Sequence, residues 1–349
     1  MYYCSDYTTA VLLCVVCMLC WGSWGNTQKL AGRSWRYELF YWDYVIGLLL
    51  FSLAAGFTLG SCGENPSWGF VANLRASFGA GWLWPLAAGV VFNLSNILLS
   101  AAIAVAGMSV AFPVGVGIAL VGGTVFNYLQ DGKGSPAFIA AGLLLIVVSI
   151  VCNALAFKVK QNGKAQDASS VRKGLFLALF AGLLMMWFSP LVNKVVDMGF
   201  MPAVVNGAVV PGATAPAAGM MTPYTAFFVF AVGIFLSNFV WNTLAMRHPV
   251  SGDGVGYDAY FRGGFAIHLV GALGGLIWGL GTLLSFVTAG AAGKAISYAL
   301  GQGATLVSAL WGILIWKEFA TAPKKSTYLN IAMFVLFVAG LAALVKAGS

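Results

Sequence analysis

The sequence predicts an all-α integral membrane protein of ten transmembrane helices, arranged as a 5+5 inverted-topology repeat. Three observations carry that prediction. The 349 residues are 60% hydrophobic and only 8% charged, whereas a soluble domain carries roughly a quarter charged residues. The apolar segments are continuous and about twenty residues long, the length a helix needs to cross a hydrocarbon core. A stretch of the first half also aligns without a gap on the second at a fixed offset of 186 residues.

With lipid as the solvent, every backbone N–H and C=O must pair within the protein, which leaves helices or a closed barrel. Barrel strands alternate apolar and polar residues over about ten positions, and these segments do not. The 44 glycines and 11 prolines suit close helix packing and interrupted helices. Ten spans are expected, at 8–27, 41–60, 83–105, 109–129, 137–157, 174–194, 224–246, 264–287, 293–316 and 328–347. Met1–Tyr7 lacks the basic n-region of a cleavable signal peptide.

Loops following odd-numbered spans hold thirteen lysines and arginines, among them Lys29, Arg36, Lys158, Arg172, Arg247 and Lys317; the remaining loops and tails hold five. The positive-inside rule then puts those loops in the cytoplasm and both termini outside, in a cell inner or plasma membrane. The basic balance therefore belongs to topology and not to nucleic acid. Residues 158–173 are polar and charged and divide the chain into a first five-helix repeat (1–157), a cytoplasmic linker and a second repeat (174–349). The 197–223 loop is rich in Ala, Pro and Gly and nearly uncharged; it is placed at the external interface with no conformation assigned. Cys4 and Cys62 would both be external and could pair.

The repeat superposes Gly89–Asp131 on Gly275–Lys317. Gly89 meets Gly275, Phe92 meets Trp278, Gly107 meets Gly293, and Phe112 meets Tyr298. A weaker Trp-x-Ser echo joins spans 1 and 6 through Trp21/Ser23 and Trp187/Ser189. An odd number of spans per copy inserts the second copy upside down and puts a solute site near the midplane, where the halves meet.

A polar, uncharged solute needs amides to bond and rings to stack on. Asn93 and Asn96 lie with Gly89 on one face of span 3, and Asn238, Trp241 and Asn242 cluster on span 7. Tyr298, Gln302 and Thr305 line up on span 9; Trp21, Trp24 and Asn26 lie on span 1, and Trp187 and Asn193 on span 6. The alternative for each Asn is an interhelical hydrogen bond that holds the bundle together, and for Trp21 and Trp24 an interfacial aromatic belt. Pro113 and Pro190 remove backbone donors and can kink or unwind spans 4 and 6.

Ionisable groups inside the bilayer mark function by default. Asp43 is the main one, either a proton-coupling carboxylate or a structural ion pair with Lys29 or Arg36. His268, early in span 8, is a packing histidine or a proton relay. Glu318, beside Lys317, is a cytoplasmic gate or an interface charge pair. Tyr257–Arg262 lies in a cytoplasmic loop and could gate. Cys14, Cys17 and Cys20 have no His or carboxylate on their turn, so no metal is expected there.

Several segments carry a resemblance. Gly89-Val-Val-Phe-Asn-Leu-Ser-Asn96, Gly107-Met-Ser-Val-Ala111, Phe188-Ser-Pro-Leu-Val-Asn193, Tyr224-Thr-Ala-Phe-Phe228 and Leu306–Leu314 followed by Lys317-Glu318 resemble the ureide permease family, in the drug/metabolite transporter superfamily near its glucose/ribose porter branch. Asp43 in Phe40-Tyr-Trp-Asp-Tyr44 matches as well. The resemblance implies a ten-helix inverted repeat that carries nucleobases or ureides, or sugars as in the glucose/ribose/rhamnose porters. One departure is that G-x-x-x-x-G-K-[ST], found in the longer central loop of ureide permeases, appears nowhere here, so nothing supports a nucleotide cradle.

The expected function is therefore a proton-coupled secondary transporter of a small polar metabolite working by alternating access, with the bilayer, the solute and a proton or other coupling ion as partners and no cofactor. A drug exporter is disfavoured because no acid pair sits mid-membrane. A membrane enzyme is disfavoured because there are two histidines and no H-E-x-x-H or G-x-S-x-G.

Overall fold

A computed structural model describes residues 1–32, 35–61, 69–161, 168–197, 204–205, 208–209 and 216–349. Among them ten helices are long and apolar enough to cross a membrane: α1 (Tyr7–Ala31), α2 (Tyr37–Phe57), α3 (Ala80–Ala106), α4 (Ala111–Asp131), α5 (Pro136–Lys160), α6 (Arg172–Val192), α7 (Pro223–Arg247), α8 (Phe265–Ala292), α9 (Lys294–Ile315) and α10 (Lys324–Gly348). Each coincides with an expected span to within five residues at either end.

The ends follow local chemistry. The Asp6 carboxylate accepts from the Thr9 N–H at 2.8 Å and caps α1. Thr222 caps α7, with Pro223 at the first helical position, where a missing N–H costs nothing. Gly107 and Gly293, at φ +85° and +86°, make the one-residue turns from α3 into α4 and from α8 into α9. Only a residue without Cβ adopts that conformation cheaply.

The expected 158–173 linker is shorter than anticipated. Helix continues to Gln161 and begins again at Ala168, so Lys158, Lys160, Arg172 and Lys173 are helical residues. Lysines at a helix C-terminus offset the dipole there, so a polar run need not be a loop. Residues 162–167 and Cys62, with the Cys4 pairing, lie outside the described residues. Within 197–223, Val204–Val205 pairs antiparallel with Ala208–Val209.

Both termini share one end of the bundle: the Tyr7 hydroxyl donates to Val345 O at 2.5 Å and the Ser135 N–H donates to Ala347 O at 2.8 Å. At the other end, here the basic end, Arg36 donates to Ser251 O and Asp253 O, and Lys173 to Val250 O.

The packing has an internal regularity. α2 packs on α8 as α3 packs on α7; α1 packs on α8 and α9 as α6 packs on α3 and α4. α5 pairs with α10, α4 with α9, and α2 with α7. Exchanging each helix for the one five places along returns the same set of partners. The agreement reaches single atoms. A Cβ on Gly89 would lie 2.4 Å from Phe230 O, and one on Gly275 1.9 Å from Tyr44 O; on Gly47 the neighbour is Ala272 O at 2.2 Å, and on Gly233 it is Leu86 O at 2.5 Å. In each equivalent pair the residue numbers differ by 186, so the offset read over spans 3, 4, 8 and 9 extends to α2 and α7.

These glycines let backbones touch, which is how helices associate in lipid. Gly275→Ala should therefore cost about 1–3 kcal/mol through overpacking. Gly264→Ala, at a position with open space around it and φ −73°, should be silent. Thermal unfolding in detergent separates the two; equal melting temperatures for both variants would contradict the crossing geometry.

Candidate functional site

Three spans lose helical regularity near the middle of the bundle. α1 changes its bonding pattern at Trp24, between Tyr7–Ser23 and Gly25–Ala31, where the backbone stays helical but the Thr27 N–H donates to Trp24 O, three residues back. α6 breaks after Met185 and resumes as Phe188–Val192, where Pro190 supplies no N–H to the preceding turn. α9 breaks at Gln302 and Gly303 and ends in a π-turn over Trp311–Ile315. Pro113, in contrast, sits within the continuous helix Met108–Asp131.

The three irregularities adjoin one cavity. Its walls are Trp21 and Trp24 (α1), Phe92, Asn96 and Leu99 (α3), Phe112 and Val116 (α4), Met185 and Phe188 (α6), Trp278 (α8), and Gln302 and Ala304 (α9). The space between these walls is about 290 Å³, and the rings nearly close on one another. Trp278 stacks on Phe92 at 4.5 Å and lies 6.0 Å from Trp21 with 14° between the planes. Phe188 meets Phe92 edge-on at 5.2 Å. The Trp21 indole N–H donates to Thr282 Oγ1 at 3.1 Å, which fixes that ring. Apolar faces with a few polar groups are the usual lining of a site for a small organic solute.

Of the residues singled out in the sequence, Trp21, Trp24, Asn96 and Gln302 meet in this cavity. Asn93 does not line it; its amide donates to Ser237 Oγ at 3.0 Å, joining α3 to α7. Asn193 donates to Asn127 Oδ1 at 2.8 Å, and Asn242 to Glu38 O at 2.8 Å. Asn26 donates to Ser23 O and accepts from the Trp316 indole at 2.6 Å. Tyr298 donates to Ala119 O at 3.1 Å across α4 and α9. These five serve as interhelical or local struts. Asn238 is fully buried with neither amide atom bonded, and Trp241 is half-buried with its N–H unbonded; both lie away from the cavity lining.

Trp187 faces outward, 38% exposed and against Phe126 at 4.3 Å, whereas Trp21 is 3% exposed. The inward position beside Phe92, equivalent to that of Trp21 beside Trp278, belongs to Phe188. The Trp-x-Ser echo is thus one residue out of register, because α6 breaks just before Phe188 and re-aims the chain. Phe188 and Trp278 were missed as site residues; the pairing of Phe92 with Trp278 at the 186-residue offset was the available signal for the second.

At the basic end a vestibule of about 980 Å³ is lined by Gln28, Lys29, Trp35, Arg36, Glu38, Ile103 and others. Gln28, bonded to Ser100 O at 3.1 Å, sits one helical turn from the cavity residue Trp24. Among the described residues at the terminal end, a space between Tyr2, Tyr3, Asp197 and Phe286 is about 300 Å³.

The ionisable residues are paired. Asp43 bonds neither Lys29 nor Arg36. Its Oδ2 accepts from Trp35 Nε1 at 3.0 Å; its Oδ1 accepts from the Tyr260 hydroxyl at 2.5 Å and lies 2.7 Å from His268 Nδ1. Asp43 is 3% exposed while His268 is a quarter exposed, so the pair joins the interior to the basic end. Burial, then the hydrogen bond to Asp43 and its negative charge, push the Tyr260 hydroxyl well above its ordinary pKa, so it remains a donor at any physiological pH. Arg36 grips the buried Glu38 through two hydrogen bonds, at 2.9 and 3.2 Å.

Glu318 pairs with Lys29 and also accepts from the Met108 N–H, the first residue after Gly107, at 3.3 Å. Asp131 accepts from the Lys294 N–H, the first residue after Gly293, at 2.8 Å. Met108 and Lys294 are again 186 residues apart, so a carboxylate ties α4 to the α9 segment at each end of the bundle. Lys317, at φ +51°, is a non-glycine residue in the left-handed region; that strained turn presents Glu318 to the α4 N-terminus. Among the described residues no three His, Cys, Asp or Glu side chains gather into a metal site.

The sequence profile of the ureide permeases matches residues 154–347. Ureide permease 4 of Arabidopsis thaliana is 27% identical over 86% of this chain and 87% of its own length, and ureide permease 1 of the same plant is 26% identical over 87% of each. The probable glucose uptake protein GlcU of Staphylococcus aureus (strain MRSA252) is 27% identical over 75% of each chain. A solved crystal structure at 16% identity superposes over 96% of both chains with a TM-score of 0.55, a likeness of fold.

If the central cavity holds the solute, Trp21→Ala and Trp278→Ala should weaken binding at least tenfold, since stacking on an aromatic ring contributes about 1–3 kcal/mol. Trp187→Ala should leave affinity within twofold. Calorimetric titration of the purified protein with its transported solute reads this; the reverse ranking would displace the site.

Proposed function

The chain belongs to the ureide permease family, and from that membership we propose that it is a proton-coupled secondary transporter of a small uncharged metabolite of the nucleobase or ureide class. A transporter, and not an enzyme, is what the family implies. The observation that carries the finer reading is the central cavity, with flat rings on its walls and two amides, Asn96 and Gln302, as polar groups. Near-parallel Trp21 and Trp278 suit a planar solute slid between them. The second reading is a monosaccharide, favoured by the likeness to GlcU; a sugar would stack one apolar face on an indole and ask more of the amides.

The halves are proposed to form an inverted repeat that rocks about the cavity. The exchange symmetry of helix partners and the reciprocal glycine crossings support this. The basic end is assigned to the cytoplasm, in accord with the positive-inside rule. In this conformation the wide vestibule lies at that end, and the space among the described residues at the terminal end is about a third of its volume. Opening either end must part α4 from α9 there, and so must break either the Glu318–Met108 or the Asp131–Lys294 contact. The two carboxylates act as opposed latches.

Asp43 and His268 are proposed to carry the proton. A buried carboxylate beside an imidazole reachable from the basic end can hold or release one proton without stranding a charge. Tyr260, contributed by the short helix Tyr257–Phe261, lets the α7–α8 loop sense that event.

Two outcomes are expected. In proteoliposomes an inward acid gradient should accelerate solute uptake severalfold, and Asp43→Asn should make uptake insensitive to the gradient; a variant that keeps the wild-type pH profile removes Asp43 from coupling. Glu318→Gln should raise labelling of a cysteine at Met185 from the basic end, and Asp131→Asn from the terminal end. Charge-assisted hydrogen bonds contribute about 1.5–3 kcal/mol, so shifts of roughly tenfold are expected. Labelling changes of the same sign in both variants would refute opposed latches.

A further inference from the structure

Three polar groups near the cavity have no hydrogen-bond partner outside their own cluster. Asn96 lines it and is 1% exposed, yet neither its amide oxygen nor its amide nitrogen makes a hydrogen bond. Tyr41 and Tyr44 are fully buried on α2, with rings 5.2 Å apart, and their hydroxyls are unbonded as well. Asn96 is the side chain within reach of both hydroxyls, so the three groups face one another and no other hydrogen-bonding side chain. The Tyr44 ring lies 5.1 Å from Trp24 and 6.3 Å from Trp278, directly behind two cavity walls. Buried polar atoms in native proteins are almost always hydrogen-bonded. A cluster that is not, opening on a cavity, is a receptor for polar groups brought by something else. Asn238 on α7 is unbonded as well, but it lies away from the cavity lining, so among the asparagines named from the sequence Asn96 is the unbonded one that faces the cavity.

The chemistry of the vacancy defines its ligand. An asparagine amide presents an acceptor and a donor side by side, in the spacing of a complementary N–H next to a C=O. That is how Asn reads the donor–acceptor edge of adenine. A tyrosyl hydroxyl can then donate to the carbonyl from the side or accept from a second N–H. A polyol offers no such fixed pattern, and an N-methylated edge would bury Oδ1 against a methyl group.

We propose that Asn96 is the specificity-determining residue of the transporter, reading an –NH–C(=O)– edge on the solute with the Tyr41 and Tyr44 hydroxyls completing the contact. This rests on the cavity being the solute site. It predicts a preference for lactams and ureides over polyols and over N-alkylated analogues of the same ring.

The test is calorimetric titration of the full-length protein in detergent with uracil, 1,3-dimethyluracil and D-glucose. Wild type should bind uracil at least tenfold more tightly than either of the others. Asn96→Asp, which loses the donor, and Asn96→Leu, which loses both groups at similar volume, should each abolish that preference. Tyr41→Phe and Tyr44→Phe, which keep the rings and the packing, should each weaken uracil about threefold to tenfold and weaken 1,3-dimethyluracil, which keeps its carbonyls and has no N–H, by less. A purely structural amide would lower stability without moving the ratio of the two affinities. If Trp21→Ala abolishes binding while the Asn96 and tyrosine variants keep the wild-type ratio, the edge assignment is wrong and the cavity stands. If Trp21→Ala leaves binding intact, or if none of the three solutes binds, the cavity reading falls and the assignment with it.

Discussion

The constraint on which the rest of this structure depends is the absence of water to satisfy a broken backbone. In hydrocarbon an unpaired N–H or C=O is costly enough that a spanning helix is interrupted only where protein or a polar cavity can answer it. Three of the ten spans lose helical regularity, and the irregularities gather around one small cavity. That convergence locates the centre of the molecule better than any single side chain does. It also explains why Gln302 and Phe188 point where they do. Each sits where the helix tightens to i→i−3 bonds, from the Trp187 N–H to Leu184 O and from the Gly303 N–H to Leu300 O, which shifts the side chains out of the 3.6-residue phase of their neighbours.

The same constraint explains the glycines. With lipid outside, helices gain little from hiding apolar surface from one another, so association relies on close contact between backbones. The crossings of α3 on α7 and α8 on α2 each use two glycines, and the four positions obey one numerical offset. A contact of this kind pins helices at a point while allowing rotation about it, as the proposed rocking of two packed units requires. At the two ends, the Asp131 and Glu318 contacts are polar, close on backbone donors and can open without leaving a large apolar void.

Much of the fold was legible in the sequence for a physical reason. Span length and hydropathy report directly on a slab of fixed thickness, and a repeat preserved in helix packing preserves glycine and aromatic positions. Phe92 and Trp278, matched by offset alone, stack on each other at 4.5 Å. The site was only half legible. Trp21, Trp24, Asn96 and Gln302 converge as expected, but an asparagine on an apolar helix looks the same whether it meets a solute or a neighbouring hydroxyl. Asn93 and Asn193 chose the hydroxyl and the amide of adjacent helices. Trp187 faces outward because α6 breaks just before Phe188, and a Trp-x-Ser echo cannot show a helix break. Charge pairing was least legible of all. Asp43 takes its partners from positions 8, 217 and 225 residues away, and Lys29 meets Glu318 across 289, separations that no local pattern encodes.

There remains the question of why a compact, nearly closed cavity should keep polar groups unbonded. Leaving a buried donor or acceptor unsatisfied costs about 1–3 kcal/mol for each group, and Asn96 with the two tyrosines presents four such atoms. A cavity evolved only for stability would carry leucine there. Retaining the amide raises the free energy of the empty, closed state relative to the occupied one, so an empty carrier resists closing fully and a loaded one closes readily. In a coupled transporter that difference matters as much as affinity. An empty carrier that closed and reopened freely would let the driving gradient leak away. In the transport mechanism proposed above, polar strain at the centre and carboxylate latches at the two ends would be parts of one device, in which the solute supplies the hydrogen bonds that make the closed state worth entering.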